Sequence, residues 1–299
     1  MTQSVTVRVP AKVNVQLAVG AARPDGFHDL ANVFLAVGLY DEVTVTPAET
    51  LRVTCSGPDA GQVPLDATNL AARAAVALAA RHGIAPDVHL HIAKDIPVAG
   101  GMAGGSADGA AALLACDALW GTGATREELL EICAELGSDV PFSLVGGAAL
   151  GIGRGEQLTP VEVGGTFHWV FAVADGGLST PAVYGEFDRL TAGTRVPEPA
   201  ASPALLTALR KGDTGALADA LGNDLQAAAL SLRPALADTL AAGTAAGALA
   251  ALVSGSGPTT AFLTADEESA RQVADALLAS GTCRNARVAA SPAAGATVV

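Results

Sequence analysis

The chain has 299 residues, of which 50% are hydrophobic, and it carries a formal net charge of −13 with a pI near 4.7. This length allows one large domain or two modest ones, and so acidic a chain argues against nucleic acid or an anionic lipid surface as a primary partner. Mean hydropathy is +0.40, but no segment has the composition of a membrane helix, and the start MTQSVTVRVPAK has no apolar signal region. These features predict a cytoplasmic protein that binds neither nucleic acid nor membrane.

The cysteines and histidines do not predict a metal site. The four cysteines lie far apart and form no C-x-x-C pair, so we expect reduced, buried thiols rather than a zinc site or a disulfide framework. They are Cys55, Cys116, Cys133 and Cys283. His89 and His91 alternate on an expected strand, but no third ligand is near them in the sequence.

The N-terminal half reads as strands followed by helices. Alternating apolar and polar residues predict strands through most of the first 45 residues, and VHLHIAKDIP predicts a further strand that ends at Pro97. Three helices follow from periodicity and from their end signals. These are 68–82 before Gly83, a helix from Ser106 to Gly121, and a helix with a Thr125–Glu128 capping box that ends at Gly137.

The pattern of predicted strands and helices changes near residue 160. FHWVFAVAD predicts a strand, alanine-rich helices follow a proline-rich loop, and the end reads as glycine loop, strand, helix and strand. Because strands and helices mix without regular alternation, we expect an α+β protein with two parts, 1–160 and 161–299.

A glycine-rich segment, IPVAGGMAGGSADGAAALL at residues 96–114, is the strongest local signal. Gly100, Gly101, Gly104 and Gly105 allow backbone amides to approach a ligand, and a helix beginning at Ser106 would offer free N–H groups to phosphate. The segment has neither the Walker A ending nor dinucleotide-fingerprint spacing. A flexible turn before an alanine-rich helix is the alternative.

Polar residues interrupt the first strand. Lys12 and Asn14 occupy alternate positions in PAKVNVQLAV, so both side chains point to one face, either into a polar cleft or into solvent at a sheet edge. A turn at Asp25-Gly26 then brings Phe27 and His28 together, which by itself is an ordinary turn.

Two later segments have similar alternatives. Asp139 in ELGSDVPFSLVGG precedes a helix start, where an acidic residue commonly acts as an N-cap. SGSGPTTAF, residues 254–262, is either a second functional glycine loop or a tight turn before a strand.

Three of these segments, in this order, resemble the motifs of the GHMP kinase superfamily. They are P-A-K-V-N, P-V-A-G-G-M-A-G-G-S-A and S-G-S-G-P-T, beginning at residues 10, 97 and 254. R-P-D-G-F-H-D-L and L-G-S-D-V-P-F are further similar to the branch whose substrate is cytidine-diphosphate methylerythritol. The resemblance extends over nearly the whole chain, and the glycine loop alone would indicate only the superfamily.

The resemblance implies the GHMP kinase fold. This combines a ribosomal-S5-like, ATP-binding domain over 1–160 with a ferredoxin-like domain over 161–299. It also implies phosphoryl transfer from ATP, with Mg²⁺, to a tertiary 2-hydroxyl in the non-mevalonate route to isoprenoids. We expect a monomer or homodimer whose partners are these small molecules.

The same resemblance assigns roles to residues. Asp139 would be the general base and Lys12 its electrostatic partner. Backbone amides of one loop would hold the ATP phosphates: Pro97, Val98, Ala99, Gly100, Gly101, Met102, Ala103, Gly104, Gly105, Ser106 and Ala107. The remaining residues would contact the substrate: Phe27 and His28 at the cytosine, Tyr184 on the other side of that ring, and Asn14 and Thr180 in the cleft.

The sequence departs from the family pattern at two places. A usual serine pair and asparagine read here Ser106, Ala107 and Asp108, and a common N-D-L-E reads N-D-L-Q at residues 223–226. We therefore assign no magnesium ligand. Two other functions remain open. A GHMP kinase for mevalonate, homoserine or a sugar would differ in substrate profile, and a non-catalytic sensor would be expected to lack the base.

Overall fold

Two β-sheets and ten α-helices make up the computed structural model, which describes residues 4–299. The strands are β1 (Val5–Ala22), β2 (His28–Pro47), β3 (Arg52–Ser56), β4 (Val88–Ala93), β5 (Ala148–Gly153), β6 (Gln157–Pro160), β7 (Phe167–Val173), β8 (Gly222–Asn223), β9 (Ala250–Val253), β10 (Thr260–Thr264), β11 (Asn285–Ser291) and β12 (Thr297–Val298). The helices are α1 (Leu70–His82), α2 (Gly104–Trp120), α3 (Arg126–Leu136), α4 (Val140–Val145), α5 (Thr180–Thr191), α6 (Pro203–Lys211), α7 (Thr214–Ala220), α8 (Gln226–Leu232), α9 (Leu236–Ala245) and α10 (Glu267–Ser280), with a 3₁₀ turn at Ala60–Gln62.

The larger sheet has eight strands in the order β12-β1-β2-β4-β3, with β5 and β6 continuing from β2 and β8 lying parallel to β1. The long antiparallel hairpin of β1 and β2 forms its centre. Helix α2 packs against both strands of this hairpin. Because its residues are small and apolar on nearly every side, α2 is buried along most of its length.

The smaller sheet is antiparallel, in the order β11-β7-β10-β9. Counted in chain order within this sheet alone, these are its fourth, first, third and second strands, which is the ferredoxin-like arrangement. The expected division after residue 160 falls between β6 of one sheet and β7 of the other. The short strands β8 and β12 return to pair with β1, so the C-terminal half completes the larger sheet.

Local signals at helix ends are confirmed. Asn69 caps α1 and Gly83 ends it in a left-handed conformation, while the Thr125 hydroxyl accepts from the Glu128 N–H at 3.2 Å at the start of α3. Cys116 and Cys133 are buried, and the other two cysteines, Cys55 and Cys283, are partly exposed, so the expectation of buried thiols holds for only half of them. Between residues 4 and 299, no helix is long and apolar enough to cross a membrane.

The start of α2 differs from the prediction. The helix begins at Gly104, two residues before Ser106, and its N-cap, Ala103, has a left-handed φ of +60°. A Cβ on Gly104 would lie 2.8 Å from the Lys94 Nζ and 3.1 Å from the Ile96 Cγ2. This close packing of the first helical turn requires a residue without a Cβ at position 104. The glycine content of the segment does not reveal that requirement.

Candidate active site

A cavity of about 780 Å³ opens between the two halves of the molecule. Its walls come from β1, the glycine loop before α2, the start of α4, the start of α5 and a second glycine loop at residues 254–257. The chain folds so that segments more than two hundred residues apart share this cavity. All but four of the residues assigned by resemblance therefore converge on one site.

Lys12 lines the cavity, and its ammonium group is buried among hydrogen-bond acceptors. The side chain is 5% exposed, and its Nζ donates to the Asn14 Oδ1 at 2.7 Å and to the Gly101 carbonyl at 3.0 Å. Asn14 is also buried and donates to the Asn32 Oδ1 at 2.7 Å. The two side chains share a face as predicted. The alternative of solvated polar residues is wrong, because both glycine loops cover this part of β1.

Asp139 stands directly before α4 and faces Lys12. Its Oδ2 lies 3.5 Å from the Lys12 Nζ, and its side chain is 32% exposed toward the cavity. The carboxylate makes no capping bond to the helix, so the alternative of a simple side-chain N-cap is wrong. An ionised carboxylate of this kind has lone pairs free to accept a proton from a bound hydroxyl.

The two glycine loops pack against each other. A Cβ on Gly101, whose φ is +74°, would lie 2.0 Å from the Ser254 carbonyl, and one on Gly100 would lie 2.8 Å from the Thr259 Oγ1. The Ser254 hydroxyl also donates to the Gly101 carbonyl at 3.1 Å. These two glycines thus bring the loops together. From the sequence alone, these two glycines are expected only to allow a phosphate to approach.

The predicted phosphate loop divides into two groups of residues. Those that line the cavity are Ala99, Gly100, Gly101, Ala103, Gly104, Gly105 and Ser106. Pro97, Val98, Met102 and Ala107 do not line it, and Met102 and Ala107 are fully buried in the core. The Met102 carbonyl accepts from the Lys12 N–H at 3.3 Å, so Met102 ties the loop to β1.

Aromatic side chains line the opposite end of the cavity. Phe27 is 48% exposed, whereas His28 is buried with its ring 4.9 Å from that of Tyr184. Burial raises the pKa of the Tyr184 hydroxyl, and the charge of Asp139 raises it further. Thr180 also lines this wall, where its hydroxyl lies 2.9 Å from that of Ser256 in the second glycine loop.

Two charged residues of the cavity were missed by the sequence analysis. The Arg154 guanidinium, on the turn between β5 and β6, lies 5.0 Å from the centre of the Phe27 ring. Asp188, one helical turn after Tyr184 on α5, places its Oδ1 2.9 Å from the His28 Nε2. A spacing of four residues from Tyr184 was the only available signal for Asp188, and nothing local indicated Arg154.

The structure contains no ready-made metal cage in the part of the chain that it describes. No group of three or more histidine, cysteine, aspartate or glutamate side chains between residues 4 and 299 could hold a metal ion. His89 and His91 instead hydrogen bond to Thr54 and Ser56 across β3 and β4. Asp108, at one of the positions that depart from the family pattern, points away from the cavity into the core.

Comparison with known proteins agrees with this geometry. Residues 69–147 match the GHMP kinases N terminal domain and residues 205–282 match the GHMP kinases C terminal model. A Streptomyces avermitilis protein named 4-diphosphocytidyl-2-C-methyl-D-erythritol kinase is 82% identical over 99% of this chain and 100% of its own. The chain belongs to that kinase family. A Streptomyces coelicolor protein of the same name is 79% identical over 99% of both chains.

The family also has a solved structure with this fold. A crystal structure of 4-(cytidine 5'-diphospho)-2C-methyl-D-erythritol kinase is 30% identical, has a TM-score of 0.79, and covers 96% of this chain and 99% of its own. Membership of the family confirms the GHMP kinase fold and a phosphotransferase activity.

Proposed function

We propose that the protein transfers the γ-phosphoryl group of ATP to the 2-hydroxyl of 4-diphosphocytidyl-2-C-methyl-D-erythritol in the non-mevalonate route to isoprenoids. The position of the Asp139 carboxylate is the observation that carries the proposal. It lies between a glycine loop at a helix N-terminus and an aromatic wall, 3.5 Å from a buried ammonium group. Relatives at 82% and 79% identity support the choice of substrate.

The first turn of α2 is the proposed site of the ATP phosphates. The N–H groups of Gly104, Gly105 and Ser106 have no partner within the helix, and the helix dipole favours an anion there. Gly105 also leaves open space, since only the Leu70 Cδ1 at 3.9 Å would meet a Cβ at this position. An acidic protein can thus bind a polyphosphate with backbone amides rather than an arginine cluster.

Phosphoryl transfer needs positioned charges more than covalent chemistry. Asp139 accepts the proton of the 2-hydroxyl as that oxygen forms a bond to the γ-phosphorus, and the bond to the β-phosphate oxygen breaks to release ADP. Lys12 pairs with this carboxylate and stabilises negative charge on the transferring phosphoryl group. When bound, Mg²⁺ would neutralise charge on the ATP phosphates.

The aromatic wall is the proposed site of the cytidine. Phe27 and Tyr184 supply flat surfaces for the base, and His28, fixed by Asp188, supplies a polar edge. The Arg154 guanidinium forms no ion pair among the described residues, which leaves it available to the diphosphate of the substrate.

A substrate panel tests the proposal. ADP release is measured with the cytidine-diphosphate substrate, its uridine analogue, methylerythritol phosphate without a nucleotide, mevalonate, homoserine and a sugar. We expect efficient turnover only with the cytidine form and poor turnover with the uridine form. If methylerythritol phosphate is phosphorylated as efficiently as the cytidine form, the proposed cytidine-binding site is refuted. A preference for mevalonate, homoserine or a sugar would refute the proposed substrate. Assembly as a monomer or homodimer and a cytoplasmic location remain predictions.

A further inference from the structure

Three charged side chains form a buried cluster outside the cavity. Asp41 in the second half of β2 is 0% exposed, Lys94 just after β4 is 3% exposed and Asp108 on α2 is 3% exposed. The Lys94 Nζ donates to the Asp41 carboxylate and to the Asp108 Oδ2, the latter at 2.8 Å. The proposed mechanism uses none of these groups, and three buried charges are costly to desolvate.

The cluster connects the two ends of the glycine loop. The Asp41 Oδ1 accepts from the Asp95 N–H at 2.7 Å and the Ile96 N–H at 2.8 Å, where the loop begins. Lys94 and Asp108 meet the other end of the loop, because Gly104 packs on the Lys94 ammonium and Asp108 lies one turn further along α2. The cluster is therefore directly behind the backbone that is proposed to bind phosphate.

The three charges do not balance unless one carboxylate is protonated. One ammonium faces two carboxylates, and Asp41 accepts from three donors, the Lys94 ammonium and the N–H groups of Asp95 and Ile96. Asp108 has a bond to Lys94 through Oδ2 only, while its buried Oδ1 has no partner. Burial raises the pKa of Asp108 to about 8, with the charge of Asp41 adding to the effect and Lys94 opposing it. The proton therefore resides on Asp108.

We propose that Asp108 retains this proton when nucleotide binds, so that nucleotide affinity depends on the protonation of a residue that never touches the nucleotide. Loss of the proton leaves the cluster with one uncompensated negative charge behind the phosphates, which opposes their binding. By linkage, bound phosphates make ionisation of Asp108 more difficult, so binding takes up a proton. This inference rests on the proposed binding of nucleotide at the loop.

The other elements around Asp108 offer little competing titration. Cys55 on β3 is a thiol whose pKa is raised by burial and further by the Asp108 charge. Cys133 on α3 is buried, which raises its pKa to about 12. Lys12 on β1 is cationic, and the buried residues of α1 and α4 carry no titratable side chain. A proton taken up near pH 8.5 is therefore expected at Asp108.

Calorimetry of ADP binding with magnesium, in buffers of different ionisation enthalpy, measures this proton directly. If binding raises the pKa by about one unit, about half a proton is taken up at pH 8.5 and the Kd rises about fivefold from pH 7 to pH 9. The terminal phosphate titrates near pH 6 and does not contribute in this range. ADP binding with no proton uptake would overturn the inference and leave the proposed function intact. Absence of ADP binding would instead refute the proposed function.

Variants identify the side chain that takes up the proton. Asp108→Asn is isosteric with the protonated acid and should give an ADP affinity that is constant from pH 7 to pH 9, with no proton uptake. Asp117→Asn makes the same change at the far end of α2, where Asp117 hydrogen bonds to Thr122 and Ala124, and should keep the wild-type pH dependence. Thermal unfolding checks that each variant is folded, and Asp108→Ala replaces Asp108→Asn if that variant does not fold. Proton uptake that persists without Asp108 would overturn the inference.

Discussion

Replacement of Asp139 by asparagine removes a proton acceptor while keeping the size of the side chain. The structure predicts a small effect on stability, because the carboxylate makes no capping bond to α4 and lies 3.5 Å from Lys12 with 32% of its side chain exposed. Loss of this ion pair, between a buried ammonium and a carboxylate that faces the open cavity, should cost about 1 kcal/mol of unfolding free energy. Lys12 keeps its two other hydrogen bonds, to Asn14 and to the Gly101 carbonyl, so the cavity should retain its shape.

The kinetic effect should be much larger. General-base catalysis contributes about a hundred- to ten-thousand-fold, so kcat of Asp139→Asn should fall by that range while KM for either substrate changes by less than about threefold. The assay is steady-state ADP release with ATP and the cytidine-diphosphate substrate, each varied in turn. A thermal melt of the same sample shows whether the variant is folded.

Asp188→Asn is the matched control, since it makes the same substitution in another carboxylate of the same cavity. Asp188 bonds to His28 at the proposed cytosine end and not to Lys12, so its loss should raise KM for the cytidine substrate more than it lowers kcat. Asp139→Asn with near-wild-type kcat would refute the assignment of the base. Equal losses of kcat in the two variants would show that the cavity responds to any change of charge.

Four further results are expected. Lys12→Arg should retain only a small fraction of wild-type kcat, because three acceptors within 3.5 Å enclose a compact ammonium and leave no room for a planar guanidinium; full activity would reduce its role to diffuse charge. Gly104→Val should weaken ADP binding in calorimetry and also lower the melting temperature, since its Cβ would lie 2.8 Å from a buried ammonium; unchanged affinity in a folded variant would place the nucleotide elsewhere. Phe27→Ala and Tyr184→Ala should each raise KM for the cytidine substrate, by about tenfold for each 1.4 kcal/mol of lost stacking, and leave KM for ATP unchanged. Folding raises the pKa of Asp108 to about 8, so from about pH 4 to 8 the carboxyl group is ionised in the unfolded chain and protonated in the folded protein. The wild type therefore loses stability as pH rises over this range, and urea unfolding should show Asp108→Asn gaining stability relative to it.

Local sequence signals are enough to predict the order and type of most elements. Alternation predicted β1 and β2, capping residues and glycines fixed the ends of α1 and α3, and the spacing of Lys12 and Asn14 placed both on one face. These signals are local, since each depends on residues within one turn or one strand pair. The motifs that resemble known kinases added the site residues Asp139, Phe27 and Tyr184, which sequence spacing alone could not relate to one another.

Which of those residues face the cavity depends on contacts between segments that are far apart in the chain. Met102 belongs to the predicted phosphate loop but lies in the core, and Gly101 is required by the carbonyl of Ser254, 153 residues away. Arg154 lines the cavity because the turn between β5 and β6 lies against Phe27. In the sequence, Asp108 is marked only by its departure from the family pattern, which does not show what surrounds it. Whether Asp108 is protonated depends on its burial and on the charges of Lys94 and Asp41, which come from other parts of the fold. Its neighbours in the chain encode neither.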